Sequence, residues 1–328
     1  MSVGRWRSAW NLARGHWPLI RRVATAAFIL AVLTLIGTLA VRIDWVEVWN
    51  AIAAYRSPVL GTAAALVIVS FTVYSTFDLM ARAYTGHDLS WWRTMLVCFV
   101  SYAFTLNLGA PVGAVGMRFR LYCKQGLGKG LVGGVMAFSL ATNWLGYLWL
   151  GGLVFAAGAL ELPDGWQIGS AALRLIGVAM VLCGFAYLCL CHFCRRRSWV
   201  VRGYRIELPS LRLALLQCFV AACNWALMAA IIYVLLLQKV DYPTVLTILL
   251  LSAIAGALMH IPGGLGVTES VFVALLSGIP RPEVLGALLV YRALYYLAPL
   301  AVAGMVYLLF ETGVTRWREL PPAGQGAR

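Results

Sequence analysis

Eight apolar stretches dominate the sequence, and their lengths constrain the fold more than any other feature. Six of them are long enough to cross a hydrocarbon core of roughly 30 Å as an α-helix. The chain is 62% hydrophobic and only 12% charged, whereas a soluble domain is about half apolar and about a quarter charged. The sequence therefore predicts an all-α polytopic membrane protein with full transmembrane helices at residues 23–43, 58–82, 131–157, 171–194, 211–237 and 284–310.

The other two apolar stretches, residues 94–124 and 244–279, are interrupted by turns. Each contains a helix-length apolar run, then a turn rich in proline and glycine, then a second short run. The turns lie at residues 107–116 (NLGAPVGAVG) and 260–266 (HIPGGLG). Proline ends a helix and glycine tolerates positive φ, so each stretch is predicted to be a hairpin of broken helices.

Loop charges predict the orientation of the spans. Cytoplasmic loops carry an excess of lysine and arginine, which places the N-terminal segment and the basic loop 195–212 inside. The loop 158–170 contains acidic residues and no lysine or arginine, which places it outside. If each full span crosses the membrane once, residues 94–124 start and end on the cytoplasmic side. By the same argument, residues 244–279 start and end on the outer side. Each is therefore predicted to be a re-entrant hairpin, or else to cross the membrane twice with very short helices. Both termini are predicted to be cytoplasmic in a bacterial inner membrane.

The two halves of the chain form a predicted inverted repeat. Each half consists of two helices, a re-entrant hairpin and a third helix, and the two halves have opposite orientations. Pro111 and Pro262 occupy corresponding places in the two turns. Interrupted helices in an inverted repeat are a sequence indication of a binding site near the bilayer midplane. The predicted organisation is a basic N-terminal segment, two membrane half-repeats and a cytoplasmic tail, at residues 1–22, 23–157, 158–310 and 311–328.

Polar residues inside these stretches are the candidate binding residues. A charge in the bilayer costs at least a few kcal/mol and needs a partner or water. We therefore expect Asp78 to pair with Arg118 or Arg120, and Glu269 to pair with Arg292. The candidate substrate-binding set consists of Asp78, Pro111, Gly113, Gly116, Arg118, Arg120, Asn143, Asn224, His260, Pro262, Gly263, Gly264, Gly266, Glu269 and Arg292.

Each candidate also has a structural interpretation. Arg118 and Arg120 either bind a phosphate with their guanidinium forks or anchor the helix at the cytoplasmic rim. Arg292 either contacts substrate or forms a structural ion pair. His260 either titrates near neutral pH or caps a helix. Asn143 and Asn224, each followed by tryptophan, also suit interhelical hydrogen bonding.

Charge and cysteine content exclude other classes of protein. The net charge of +14 comes from residues that flank apolar runs, which is typical of membrane orientation and lipid contact and not of nucleic-acid binding. Cys189, Cys191, His192 and Cys194 form a cluster whose spacing fits no standard zinc pattern. No nucleotide-binding loop is present, and no metal, cofactor or catalytic residue is predicted.

The stretch from His260 to Glu269 (HIPGGLGVTE) resembles the signature of the transmembrane-region family of lysylphosphatidylglycerol synthases. Further matches lie at residues 74–78, 113–122, 142–147 and 291–296. The resemblance covers nearly all of residues 20–312 and is to the stand-alone, YbhN-like inner-membrane members. It implies a flippase-type membrane domain. Because the chain ends soon after the last span, the soluble aminoacyl-transferase domain of the fused members is not expected, and lysyl transfer is not carried over.

These observations lead to a hypothesis of function. We expect a non-enzymatic translocase that moves a phospholipid or related amphiphile between leaflets, with the headgroup passing between the two hairpins. The alternative is a non-transporting membrane partner of a lipid-synthesis or envelope complex. An enzyme that modifies lipid headgroups is less favoured, because no nucleophile–base constellation is readable. The expected partners are membrane phospholipids, and a lipid-synthesis enzyme in the alternative case.

Overall fold

The computed structural model describes residues 30, 34, 45–160, 169–194, 198–201, 204–259 and 262–311. Three predicted features lie outside this part of the chain: nearly all of the span 23–43, the acidic residues 161 and 164, and the tail from residue 312. A helix α1 covers Trp45–Ala53. Residues 51–328 form one unit, and the helices that follow belong to it.

Five described helices are long and apolar enough to cross a membrane. The fifth is continuous over 30 residues, because a π-helical segment, Ala293–Leu297, joins its two α-helical parts, α10 and α11. The five correspond to five of the six predicted spans, and an all-α polytopic membrane fold is confirmed. They are α2 (Ser57–Thr85), α5 (Lys129–Ala157), α6 (Ser170–Phe193), α7 (Leu211–Leu235) and α10 with α11 (Arg281–Arg292 and Ala298–Glu311).

Local sequence explains where these helices begin and end. Ser210 accepts a hydrogen bond from the backbone N–H of Leu213 (3.3 Å) and so caps the start of α7, as serine commonly does. Gly86 ends α2 with φ 69° and donates its N–H to the Arg82 carbonyl (2.9 Å). Such a left-handed glycine is a common helix C-terminus.

Both predicted helix interruptions are present. In the first hairpin, α3 (Trp91–Leu108) stops at Gly109, and a π-helical segment Pro111–Met117 leads into α4 (Arg118–Lys124). The non-helical part is narrower than the predicted turn 107–116. Proline fits the first position of a helix, because its missing N–H would have no partner there, so helical structure resumes at Pro111.

In the second hairpin, α8 (Tyr242–Leu258) is followed by a 3₁₀ turn, Pro262–Gly264, and then by α9 (Val267–Leu275). Gly263 has φ 64° and Gly264 has φ 58°. The re-entrant path of both hairpins, the inverted repeat and the domain boundaries stay predictions.

Helix packing places the two hairpins together. α2 packs against α3, α5 and α7, and α5 packs against α6 and α7. α3 contacts α11 and also the turn Pro262–Gly264 of the second hairpin. The second interruption therefore lies against α3 of the first hairpin. Outside it, strands β1 (Ser198–Val201) and β2 (Tyr204–Glu207) form an antiparallel pair.

The loop between α2 and α3 contains a buried histidine, and we predict that it makes stability depend on pH. Burial lowers the pKa of His87, and the nearby Arg82 charge lowers it further, against smaller opposite effects of Asp78 and Asp88. The unfolded chain therefore binds this proton more readily than the folded one. The stability that neutral His87 contributes is fully present above the histidine pKa of the unfolded chain, about 6.5. It is lost as the pH drops below that value.

The measurement is the thermal unfolding midpoint in detergent at pH 8 and pH 5. We expect the midpoint of the parent protein to fall at pH 5, and His87→Gln to reduce that fall. His192, which is exposed at the end of α6, supplies the control His192→Gln, which should leave the fall unchanged. An equal pH response in the parent protein and His87→Gln would contradict the prediction.

Candidate binding site

A buried ion pair joins the second half of the first hairpin to α2. The Arg118 guanidinium forms a fork with Asp78, with Nε 3.2 Å from Oδ2 and Nη2 3.1 Å from Oδ1. The side chains are 3% and 0% exposed. The predicted Asp78–Arg118 pairing is confirmed. Arg120 does not replace Arg118, and its guanidinium lies 5.9 Å from the centre of the Tyr307 ring.

Neighbouring side chains complete the shell of this pair. Tyr122 donates its hydroxyl to Asp78 Oδ2 (2.7 Å). Arg118 Nη2 also donates to Ser139 Oγ on α5 (3.0 Å) and to Cys98 Sγ on α3 (3.3 Å). A buried charge is tolerated only when it is paired and hydrogen-bonded, and both members of this pair meet that condition. The pair therefore ties α2, α3, α4 and α5 together and is closed to solvent.

A second ion pair lies at the turn of the second hairpin. Glu269, in the first turn of α9, accepts hydrogen bonds from Arg292 Nε and, at 2.9 Å, from Arg292 Nη2. The predicted Glu269–Arg292 pairing is confirmed. The side chains of Arg292 and Glu269 are 13% and 23% exposed, so this pair reaches solvent, whereas the first one does not.

Arg292 also holds the backbone of the turn. Its Nη1 donates to the Gly263 carbonyl and its Nη2 to the Gly264 carbonyl, both at 3.1 Å. The Glu269 carboxylate accepts the N–H of Gly266 (2.9 Å), which caps the start of α9. An interrupted helix leaves such backbone groups without intrahelical partners, and here the ion pair satisfies them.

The two hairpins touch at this point. A methyl group added at Gly263 would lie 2.8 Å from the carbonyl oxygen of Leu106 in α3 and 3.6 Å from the ring of Tyr296. Asn107 Nδ2 donates to the carbonyls of Ala103 (2.8 Å) and Tyr296 (3.0 Å). The end of α3, the glycine turn and the last helix therefore form one junction, with Arg292 beside it.

A hydroxyl cluster lies in the buried core. Ser70 donates to Asn224 Oδ1 (2.8 Å) and shares a hydrogen bond with Tyr295 (2.9 Å). Tyr295 is also hydrogen-bonded to Tyr102 (3.0 Å). Only Asn224 of these was a sequence candidate. The cluster links α2, α3, α7 and the last helix. Apart from Asn224, its sequence signal is the tyrosine-rich match at residues 291–296.

The remaining candidate binding residues lie in different structural environments. The backbone carbonyl of Asn143, not its amide, accepts a hydrogen bond from Trp225 Nε1 (3.3 Å). Gly113 is packed against the backbone of Thr105 in α3, which closes the first hairpin. Pro111 and Gly116 lie in the π-helical segment and Pro262 in the 3₁₀ turn. His260 lies outside the described residues.

No group of three metal-binding side chains is present within the described ranges. The cysteines of the 189–194 cluster differ in burial, with Cys189 exposed and Cys191 buried. This difference is expected because helix positions two apart face different directions.

These features define a class of protein: a polytopic helical membrane protein with two interrupted helices, a buried ion pair in the first hairpin and a part-exposed ion pair at the turn of the second. The sequence profile described as the lysylphosphatidylglycerol synthase TM region matches residues 22–303. The chain belongs to this family, and the resemblance in its motifs is confirmed.

Individual relatives agree with this assignment. The inner membrane protein YbhN of Escherichia coli is 42% identical over 311 residues, which cover 94% of this chain and 98% of that protein. The protein slr0712 of Synechocystis is 30% identical, covering 90% of this chain and 94% of that one. A phosphatidylglycerol lysyltransferase of Staphylococcus haemolyticus is 33% identical over 99 residues, which are 29% of this chain and 12% of that enzyme.

Proposed function

We propose that this protein moves a phospholipid or a related amphiphile between the leaflets of a bacterial inner membrane. In this proposal the polar headgroup passes the junction of the two hairpins, where Arg292 and Glu269 exchange some of their contacts for contacts with the headgroup. The acyl chains stay in the bilayer. The proposed activity makes and breaks no covalent bond, so the protein acts as a translocase and not as an enzyme.

The observation that carries the proposal is the partial exposure of the Glu269–Arg292 pair. A phosphate is recognised by the fork of an arginine guanidinium. The Arg292 fork lies at the turn of the second hairpin, where it holds Glu269 and the carbonyls of Gly263 and Gly264, and a headgroup would displace some of these contacts. Irregular backbone at membrane depth is tolerated where it is buried in protein or lines a wet cavity. The glycine turn and its part-exposed ion pair fit the second case.

The other ion pair suits a positioning role. Arg118 has its fork on Asp78 and further contacts to Ser139 and Cys98, and its side chain is 3% exposed. A headgroup would have to break this closed set of contacts to reach it. We therefore assign headgroup contact to Arg292 and the alignment of the first hairpin to Arg118.

Leaflet exchange of fluorescent phospholipids in proteoliposomes tests the proposal. Glu269→Gln keeps acceptor oxygen for Gly266 and Arg292 but removes the charge. Arg292→Lys keeps the charge but loses the fork. A hydrogen bond to a charged group contributes about 1.5–3 kcal/mol, so we expect each variant to slow exchange by roughly ten- to hundredfold.

The chain offers a matched control. Lys239 and Glu283 form another ion pair, with both side chains 46% exposed, and exposed pairs contribute little to stability. Lys239→Met should leave exchange unchanged. Parent protein that is folded in the vesicles and gives no exchange would refute the proposal. Headgroup turnover in the same vesicles would indicate an enzyme, and a stably co-purifying protein without exchange would indicate the partner role.

A further inference from the structure

An apolar groove runs along the outside of the bundle between α2, α3 and the last helix. It encloses about 630 Å³. Along α2 it extends from Ala64 to Ser75, which is about 16 Å at the helical rise of 1.5 Å per residue. Its walls are aliphatic and aromatic, and include Ile68, Phe71, Trp92, Phe99, Ala298 and Val302.

Among the described residues that line the groove, no hydroxyl group is free to bind an occupant. Its two hydroxyl side chains, Thr72 and Ser75, are both turned back onto their own helix. Thr72 donates to the Ile68 carbonyl (2.8 Å) and Ser75 to the Phe71 carbonyl (2.7 Å). Phe71 separates the groove from the hydroxyl cluster, because its ring contacts those of Tyr102 and Tyr295 at 5.1 and 5.2 Å. The groove therefore suits a long, flexible apolar group.

One end of the groove has the features of a membrane–water boundary. Trp91 and Trp92 line it there, and they are 62% and 45% exposed. Tryptophan is enriched at the headgroup level of membranes. The guanidinium of Arg93 lies 5.4 Å from the centre of the Trp92 ring, so a positive charge stands beside the groove where a lipid phosphate would lie.

We infer that this groove is a binding site for one acyl chain of an anionic phospholipid, whose phosphate lies at the Arg93 end. The apolar walls and satisfied hydroxyls select a hydrocarbon chain, and the arginine beside two exposed tryptophans selects an anionic headgroup. The inference rests on the proposed function, since a chain that moves lipids must hold acyl chains against its helices, and it names where one of them lies.

Site-specific photocrosslinking of the full chain tests this inference. Ala298 lines the groove, and Ala179 is exposed on α6 away from it. A benzophenone amino acid replaces each in turn, and the protein is purified in detergent and illuminated. Loosely bound lipid exchanges for detergent during purification, whereas lipid in a groove is retained. We expect mass spectrometry to show a phospholipid adduct at position 298 and a detergent adduct at position 179.

Two further variants sharpen the test. Ala64→Trp fills the groove and should lower the phospholipid adduct at position 298 at least severalfold. In nanodiscs with equal phosphatidylglycerol and phosphatidylethanolamine, the parent adduct should be mainly phosphatidylglycerol, and Arg93→Gln should make the two adducts nearly equal. Each variant is checked for an unchanged elution profile.

Other outcomes would overturn the inference: detergent at both positions, a crosslink from position 298 to the apolar stretch 23–43, or a crosslink to a second copy of the chain. The readout is separate from transport. A phospholipid adduct without leaflet exchange would refute the proposed function alone, and exchange without the adduct would refute the groove alone.

Discussion

Replacing Asp78 with asparagine is expected to lower the free energy of unfolding by about 3–5 kcal/mol, the usual cost of breaking a buried ion pair by removing one partner. The change leaves the Arg118 charge in a site where its side chain is 3% exposed. It also weakens the contact made by the Tyr122 hydroxyl with Asp78 Oδ2. Because the pair ties four helices together, the loss should lower the cooperative unfolding midpoint and not merely loosen one loop.

The measurement is reversible unfolding in mixed detergent micelles, with far-ultraviolet circular dichroism as the signal. Tyr122→Phe removes the hydroxyl that donates to Asp78 and leaves the ion pair, so it should cost about 1–3 kcal/mol. The double variant Asp78→Leu with Arg118→Met replaces both charges by apolar side chains, which is often close to neutral for a buried pair. It should be more stable than Asp78→Asn.

The comparison distinguishes a buried charge from a lost contact. If the double variant were as unstable as Asp78→Asn, the cost would lie in packing and not in the unpaired Arg118 charge. If Asp78→Asn were no less stable than the parent protein, the pair would not hold the first hairpin against α2. The exposed pair Lys239–Glu283 provides a baseline, since Lys239→Met should change stability by less than about 1 kcal/mol.

The sequence predicted the Glu269–Arg292 pair and an arginine partner for Asp78, because so few charges occur inside the apolar stretches. It left Arg118 and Arg120 as alternatives for Asp78. Positions two apart on a helix face different directions, so Arg118 reaches Asp78 whereas Arg120 lies beside the ring of Tyr307. The rotation of α4 decides between them, and that rotation depends on how Pro111–Met117 packs against α3, which no local pattern reveals.

The hydroxyl cluster shows a different limit of sequence reasoning. Ser70, Tyr102 and Tyr295 lie in three separate helices, and the bond between Tyr102 and Tyr295 joins residues 193 positions apart. Serine and tyrosine within an apolar span carry no charge that demands a partner, so they are not conspicuous in the sequence. Asn224 was conspicuous in the sequence, because an amide in a span needs a hydrogen bond. Its partner Ser70 was not predictable.

Hairpin geometry was predictable in outline. Proline and glycine at corresponding places indicated where each helix is interrupted, and both interruptions are present. The contact between the end of α3 and the second turn depends on tertiary packing. α3 extends to Leu108, so its last carbonyls reach the turn at Gly263. The sequence contains the glycine that permits this approach but does not state which carbonyl it meets.

Replacing Gly263 with alanine is therefore expected to separate the two hairpins. Gly263 has φ 64°, where a side chain costs about 1–2 kcal/mol, and a methyl group there would lie 2.8 Å from the Leu106 carbonyl oxygen. Overpacking of this kind costs about 1–3 kcal/mol more. Gly86 is a matched control, because it is also left-handed, with φ 69° and ψ 26°, but has open space around the position of a methyl group.

Gly86→Ala should thus carry only the backbone cost, and Gly263→Ala should be less stable by the additional ~1–3 kcal/mol of overpacking. The same unfolding assay measures the difference. Leaflet exchange should fall more for Gly263→Ala, because displacement of the Gly263 carbonyl removes one contact of Arg292 and tilts its guanidinium away from the junction. Equal stability of the two variants would mean that the turn moves freely away from α3, and the headgroup path through this junction would lose its structural support.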